Sequence, residues 1–147
     1  MLRRLLPAAA ALHLAALLAA LLAACGHASR PAAVAATGRI IPVSDTIDGT
    51  ENADTLRFGR LGSGEIAVMR FVLHNVARRP LRIVSYERSC GCLSLDYDDQ
   101  PIMPDEKRPV ALTFDTRGEW GWQFKLVEIR FDGLPRPTRI FAEAEIH

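Results

Sequence analysis

The chain has 147 residues, 49% of them hydrophobic, with 18 Lys and Arg against 17 Asp and Glu for a formal charge of +1. That length holds one small hydrophobic core, and that balance supplies no field to hold nucleic acid or an anionic membrane surface. Beyond the first 25 residues the histidines are His27, His74 and His147, with no motif that sets a base beside a nucleophile, so a hydrolytic triad finds no support.

The chain opens "MLRRLLPAAAALHLAALLAALLAAC". Arg3 and Arg4 form a short basic region, and Leu5 to Ala24 is a Leu and Ala run broken by Pro7 and His13, the layout of a secretory signal peptide. An uncleaved anchor helix and a plain signal peptide are the alternatives, since about 20 apolar residues also span a bilayer. Leu22-Ala23-Ala24-Cys25 favours a third outcome, because it resembles the bacterial lipobox. On that reading residues 1–24 are a lipoprotein leader and Cys25 becomes the acylated N-terminus. Each buried methylene contributes about 0.8 kcal/mol, so two or three chains on one residue anchor stably. Losing Arg3 and Arg4 leaves 16 of the 18 basic residues against 17 acidic ones, a formal charge of −1.

Residues 25–52 are rich in Ala, Gly, Ser, Thr and Pro, with Ile40-Ile41 as an apolar pair, and read as a flexible tether. A segment of that length spans roughly 30 Å. Residues 53–147 then form one domain. Within it, turn signals recur at Gly62-Ser63-Gly64, Ala77 to Pro80, Asp98 to Pro101, Pro104-Asp105, Arg117-Gly118 and Gly133 to Pro137.

Between the turns the pattern has period two. Met69, Phe71 and Leu73 alternate with Arg70, Val72 and His74; Val110, Leu112 and Phe114, then Val127, Ile129 and Phe131, then Ile140, Ala142, Ala144 and Ile146 repeat the theme. Strands are expected near 55–60, 65–75, 80–87, 92–97, 108–115, 121–132 and 138–146. This predicts an all-β fold, a single immunoglobulin-like antiparallel β-sandwich of about seven strands. The expected core includes Leu56, Phe58, Phe71, Leu73, Leu81, Ile83, Leu112, Phe114, Val127, Ile129 and Phe131. A phase slip near Leu126-Val127 suggests a bulge.

Some constellations read as ordinary structure. Gly59, Gly62 and Gly64 precede a strand and lack the Gly-Lys-Ser/Thr of a phosphate loop, so they mark a hairpin turn. Asp96, Asp98, Asp99, Asp105 and Glu106 lack the spacing of an EF-hand and read as a solvated loop, with weak calcium binding as the alternative. His74 falls opposite Phe71 and Leu73 and is expected to be exposed. Trp120, Trp122 and Phe124 share one strand face, either packed beneath a loop or free as an aromatic strip for a peptide or glycan.

Ser89-Cys90-Gly91-Cys92 is the motif with chemistry. In extended chain the two cysteines share a face with Cα atoms about 6.6–6.8 Å apart, at the edge of disulfide reach. Gly91 lets the backbone pinch. So small a ring stabilises by only about 1.6 kcal/mol in the chain-entropy model, against roughly 4.7 for a long loop. An inert turn-shaping disulfide, thiol redox exchange, and capture of Cu(I) by two thiolates all remain open for Cys90 and Cys92. A closed zinc site wants four ligands that this chain hardly offers.

"FGRLGSGEIAVMRFVLHNVARRPLRI", "SCGC" and "PIMPDEKRPVALTFDTRGEWGWQFKLVEI" together resemble the bacterial family called domain of unknown function 1573, over most of residues 57–131. The matching positions include Phe58-Gly59, Gly64-Glu65, Phe71, Asn75, Pro80-Leu81, Ile83, the cysteine motif, Pro104, Glu106, Phe114-Asp115, Gly121 and Lys125. Val76-Ala77 follows Asn75 where a glycine usually lies close by, and Pro104-Asp105-Glu106 stands where Pro-Gly-Glu is usual. The resemblance implies an immunoglobulin-like sandwich in an exported, often lipidated protein, with no settled activity.

The expectation is therefore an envelope lipoprotein carrying a non-catalytic binding or assembly module. Its partners would be the membrane, through the lipid, and an envelope protein or glycan, with no cofactor. The alternative is a thiol redox or Cu(I)-binding protein acting through Cys90 and Cys92. Gly26 stands where an aspartate retains enterobacterial lipoproteins at the inner membrane, which points to the outer membrane.

Overall fold

The computed structural model describes residues 38–45 and 52–147. The leader and Cys25 lie outside the described residues. Eight strands are described: β1 (Ile40–Val43), β2 (Ala53–Leu61), β3 (Ile66–Asn75), β4 (Ile83–Arg88), β5 (Leu93–Asp96), β6 (Lys107–Asp115), β7 (Gly121–Phe131) and β8 (Thr138–Ile146). Among the described residues no helix is long and apolar enough to cross a membrane.

The strands form two four-stranded sheets, ordered β1-β3-β6-β5 and β2-β8-β7-β4. The inward members of each period-two pattern meet between them. Phe71 and Leu73 of β3 and Leu112 and Phe114 of β6 come from the first sheet; Val127 and Ile129 of β7 and Ile140 and Ala142 of β8 come from the second. All eight are fully buried. The Phe58 ring is only partly buried but packs edge-on against Phe114, with centroids 5.8 Å apart. Burying such side chains is the main favourable contribution to folding.

Seven strands fall within a few residues of their expected positions, and the eighth lies in the segment read as a tether. Ile41 and Val43 of β1 are buried, and the strand pairs with β3 along Val72–Asn75. Two inward residues are too few to register as a period, and Pro42 between them argues against a strand. At a sheet edge, however, Pro42 need not donate to the ladder. The sandwich is also not wholly antiparallel. β1 runs parallel to β3 and β2 parallel to β8, whereas β3–β6, β4–β7, β5–β6 and β7–β8 are antiparallel. Period-two alternation reports which face a residue occupies and carries no information on strand direction.

Two further expectations are corrected. β7 and β8 stay in register from Gly121–Ile146 to Ile129–Thr138, so there is no bulge at Leu126-Val127. The irregularities lie at Arg57/Gly59 in β2 and Ile83/Ser85 in β4. The apparent slip in β7 arises because its first half carries apolar residues on the outer face and its second half on the inner face. The Gly62-Ser63-Gly64 turn, closed by the Glu65 N–H on the Gly62 carbonyl at 3.1 Å, passes between sheets and closes no hairpin. Buried Thr116 holds it, its hydroxyl reaching the carbonyls of Gly62 and Glu65 at 2.8 and 2.9 Å.

Candidate functional site

β4 pairs with β7 only as far as Arg88–Val127. One step further, the Ser89 N–H donates to the Leu126 carbonyl and the Leu126 N–H donates to Ser89 Oγ, both at 2.9 Å. The chain then leaves the second sheet through a turn at Cys90-Gly91-Cys92 and enters β5 of the first. The Asp115 N–H receives the far side of this turn, donating to the Cys92 carbonyl at 2.8 Å. The Arg88 guanidinium donates to the Leu93 carbonyl across the turn.

In that turn Cys90 and Cys92 are joined by a disulfide, with Cα atoms 5.2 Å apart. The extended spacing expected from sequence is thereby shortened into the ordinary disulfide range. Both cysteines are partly buried against the rim of the core, whereas Gly91 is exposed. Cys90, Gly91 and Cys92 line an open depression of about 490 Å³ together with Asp115, Arg117 and Glu119. Arg117 is paired with Asp115, and Glu119 with Lys125 at 3.0 Å, so the depression holds matched charges. Hydrogen bonds from the Arg117 side chain and backbone hold the Asp115 carboxyl below its ordinary range.

Because β4 ends at Arg88 and the chain turns away after Ser89, the first part of β7 has a strand on one side only. Leu126 turns its N–H and C=O toward β4, and the two-residue period sets those of Phe124 and Trp122 along the same edge. Among the described residues no strand pairs with that edge from Gly121 to Lys125. The outward side chains here are Trp122 and Phe124, 65% and 46% exposed, with Trp120 before the strand at 81%. Trp122 stacks on Phe124 with centroids 5.5 Å apart, and Phe124 on Phe141 of β8 at 4.9 Å. The packed-beneath-a-loop reading of these aromatics is thus corrected: they form an open strip. Phe141 escaped the sequence reading because it stands out of phase with the buried Ile140 and Ala142, which was itself the available signal.

The other singled-out residues serve structure. His74 is partly buried, not exposed, and its Nε2 lies 2.8 Å from Asp105 Oδ1. In the acidic loop Asp98 and Glu106 both pair with Arg108, at 2.9 and 2.6 Å. Among the described residues no three His, Cys, Asp or Glu side chains cluster as metal ligands.

The family described as "Protein of unknown function (DUF1573)" matches residues 50–146. No curated protein matches the sequence. The crystal structure of a protein of unknown function from Porphyromonas gingivalis W83 is similar at a TM-score of 0.52 and 24% identity, over 62% of this chain. The match spans 43% of that chain, and at this identity it bears on the fold alone. The secreted serine protease VesC from Vibrio cholerae gives 0.49 at 6% identity, over 61% of this chain and 21% of that one. A Bacteroides ovatus GH5 xyloglucanase in complex with a XXXG heptasaccharide gives 0.41 at 11%, over 63% and 17%. Neither of these two carries an argument about this protein.

Proposed function

This chain belongs to the family of unknown function DUF1573, and from that premise we propose that it is a non-catalytic binding module tethered to the bacterial envelope. In this reading Cys25 is acylated after removal of residues 1–24, and the chain between Cys25 and the sandwich holds the domain near the membrane, with the outer membrane as its site. The partner is an extended segment of another envelope protein.

The observation that supports the reading is the aromatic strip Trp120, Trp122 and Phe124 beside the unpaired edge of β7. Exposed contiguous aromatics mark interaction sites, and aromatic residues dominate interface energetics. A glycan would use only the ring faces. An added strand would use both the rings and the open N–H and C=O groups of Trp122 and Phe124, which is why a protein segment is the better fit.

Chemical crosslinking in intact cells tests this by comparing the full chain with a Trp122→Ser/Phe124→Ser variant. The parent is expected to give a discrete protein adduct that the variant loses while keeping its β-sheet circular dichroism. An adduct that survives in the folded variant contradicts the assignment. Retention of the parent, but not the variant, on a polysaccharide column without any protein adduct replaces the protein partner with a glycan.

A further inference from the structure

We propose that Cys90–Cys92 is a thiol–disulfide exchange site whose co-substrate is a dithiol on another protein, an activity separate from binding by the aromatic strip. The first argument is that the fold has little use for this bond. It joins residues two apart, a ring too small to restrict the unfolded chain much. The turn is already fixed on both flanks without sulfur: Ser89 to Leu126 on one side, Cys92 to Asp115 on the other, and Arg88 to Leu93 across it. Those bonds survive reduction. They keep the two thiols side by side, so the bond can open and reclose without moving β4 or β5.

The second argument is access. Cys90 and Cys92 are partly buried and not sealed in the core, and both face the open depression shared with Asp115, Arg117 and Glu119. Gly91 between them is exposed, and a Cβ placed on it would meet nothing within 4 Å. A partner chain can therefore approach over the glycine and bring a thiolate to either sulfur, the access that exchange requires.

The chemistry closes on named groups. A partner thiolate attacks one Sγ; the Cys90–Cys92 bond breaks, and the other cysteine leaves as a thiolate that takes up a proton. The partner's second thiol, deprotonated, then attacks the mixed disulfide and releases the first cysteine, which is protonated in turn. The partner dithiol has lost two electrons and two protons to become a disulfide, and Cys90 and Cys92 have gained them as thiols. The reverse direction reduces a partner disulfide.

The test uses the full-length chain and dithiothreitol as the dithiol probe under native conditions. Thiols are then capped with N-ethylmaleimide and read in the tryptic peptide spanning residues 89–107, which contains both cysteines and excludes Cys25. The expected result is two labels after dithiothreitol and none after reoxidation by glutathione disulfide, with β-sheet circular dichroism constant throughout. Single Cys90→Ser and Cys92→Ser variants provide the second arm, and at least one should trap a mixed disulfide with glutathione. Labelling that appears only in denaturant, collapse of the sheet on reduction, or failure of both variants to form the mixed disulfide overturns the proposal. So does a reduced pair that takes up Cu(I) and is not reoxidised by glutathione disulfide, which would make it a metal site.

Discussion

Ser89 and Leu126 form the last rung between β4 and β7, each donating its N–H to the other residue, at 2.9 Å in both directions. The rung decides two things at once: where β4 stops, which leaves the edge of β7 open, and where the cysteine turn begins. The Ser89 hydroxyl is the partner of the Leu126 N–H, so Ser89→Ala leaves that donor to solvent. The expected loss is about 0.5–1.5 kcal/mol by chemical denaturation, the net worth of one hydrogen bond. Amide exchange at Leu126 should accelerate while that of Val127, deeper in the ladder, stays slow.

Asn75 is the buried polar keystone of the β3 end. Its Nδ2 donates to the carbonyls of Arg79 and Ile102 at 2.9 and 2.8 Å, and its Oδ1 accepts the Ala77 N–H at 2.9 Å. Asn75→Ala removes the partner of the Ala77 N–H and of the Arg79 carbonyl, while the Ile102 carbonyl keeps the Leu81 N–H at 3.0 Å, and should cost about 1–3 kcal/mol. Asn75→Asp restores the acceptor alone and adds a buried charge, so denaturation should find it no more stable than the alanine variant.

Asp105 carries the left-handed φ of 64° at the turn before β6. An aspartate occupies a backbone conformation that glycine adopts more readily. The strain is offset in part by the Asp105 N–H on the Asn75 carbonyl at 2.8 Å and by the contact with His74. Asp105→Gly should be at least as stable as the parent by thermal denaturation. Asp105→Val, whose branched side chain opposes this φ, should lose about 1–2 kcal/mol.

Acid should weaken the fold through carboxylates whose folded values lie below their ordinary ones. For Asp54, partial burial pulls upward but is outweighed by hydrogen bonds from Arg39 and the Thr55 N–H and by the Arg39 and Arg57 charges. For Glu106 the Met103 N–H is the larger cause and Arg108 the next. A depressed carboxylate stabilises fully above its unfolded value, and that contribution fades as pH falls through about 4 toward the folded value. Thermal midpoints should therefore drop below about pH 4, and Arg39→Gln should flatten part of that slope. An unchanged slope would remove Asp54 from the account.

The legibility of the fold follows from what a period can report. Phe71, Leu73, Leu112, Phe114, Val127 and Ile129 stood in strict alternation, and all are buried. Ile41 and Val43 were missed because two residues around a proline make no pattern. The parallel pairing of β2 with β8 was invisible because alternation is the same in either direction. At the site, the disulfide reach of Cys90 and Cys92 was legible from their spacing. The open edge of β7 was not, since it depends on where β4 ends, which is a tertiary fact. Trp122 and Phe124 even misled, their outer-face alternation imitating a core strand and producing the false bulge. Asp115, Arg117 and Glu119 were brought to the disulfide by the packing of one turn against another, for which no local signal exists.

The central claim is that the β7 edge and its aromatic strip form the partner surface. The most direct measurement replaces Trp122 with a photo-crosslinking amino acid in the full chain and irradiates intact cells. Arg70, exposed on the other sheet, carries the probe as the control. The account predicts a discrete protein adduct from position 122 and none from position 70. Equal adducts from both positions, or none from position 122 while position 70 crosslinks, would contradict it.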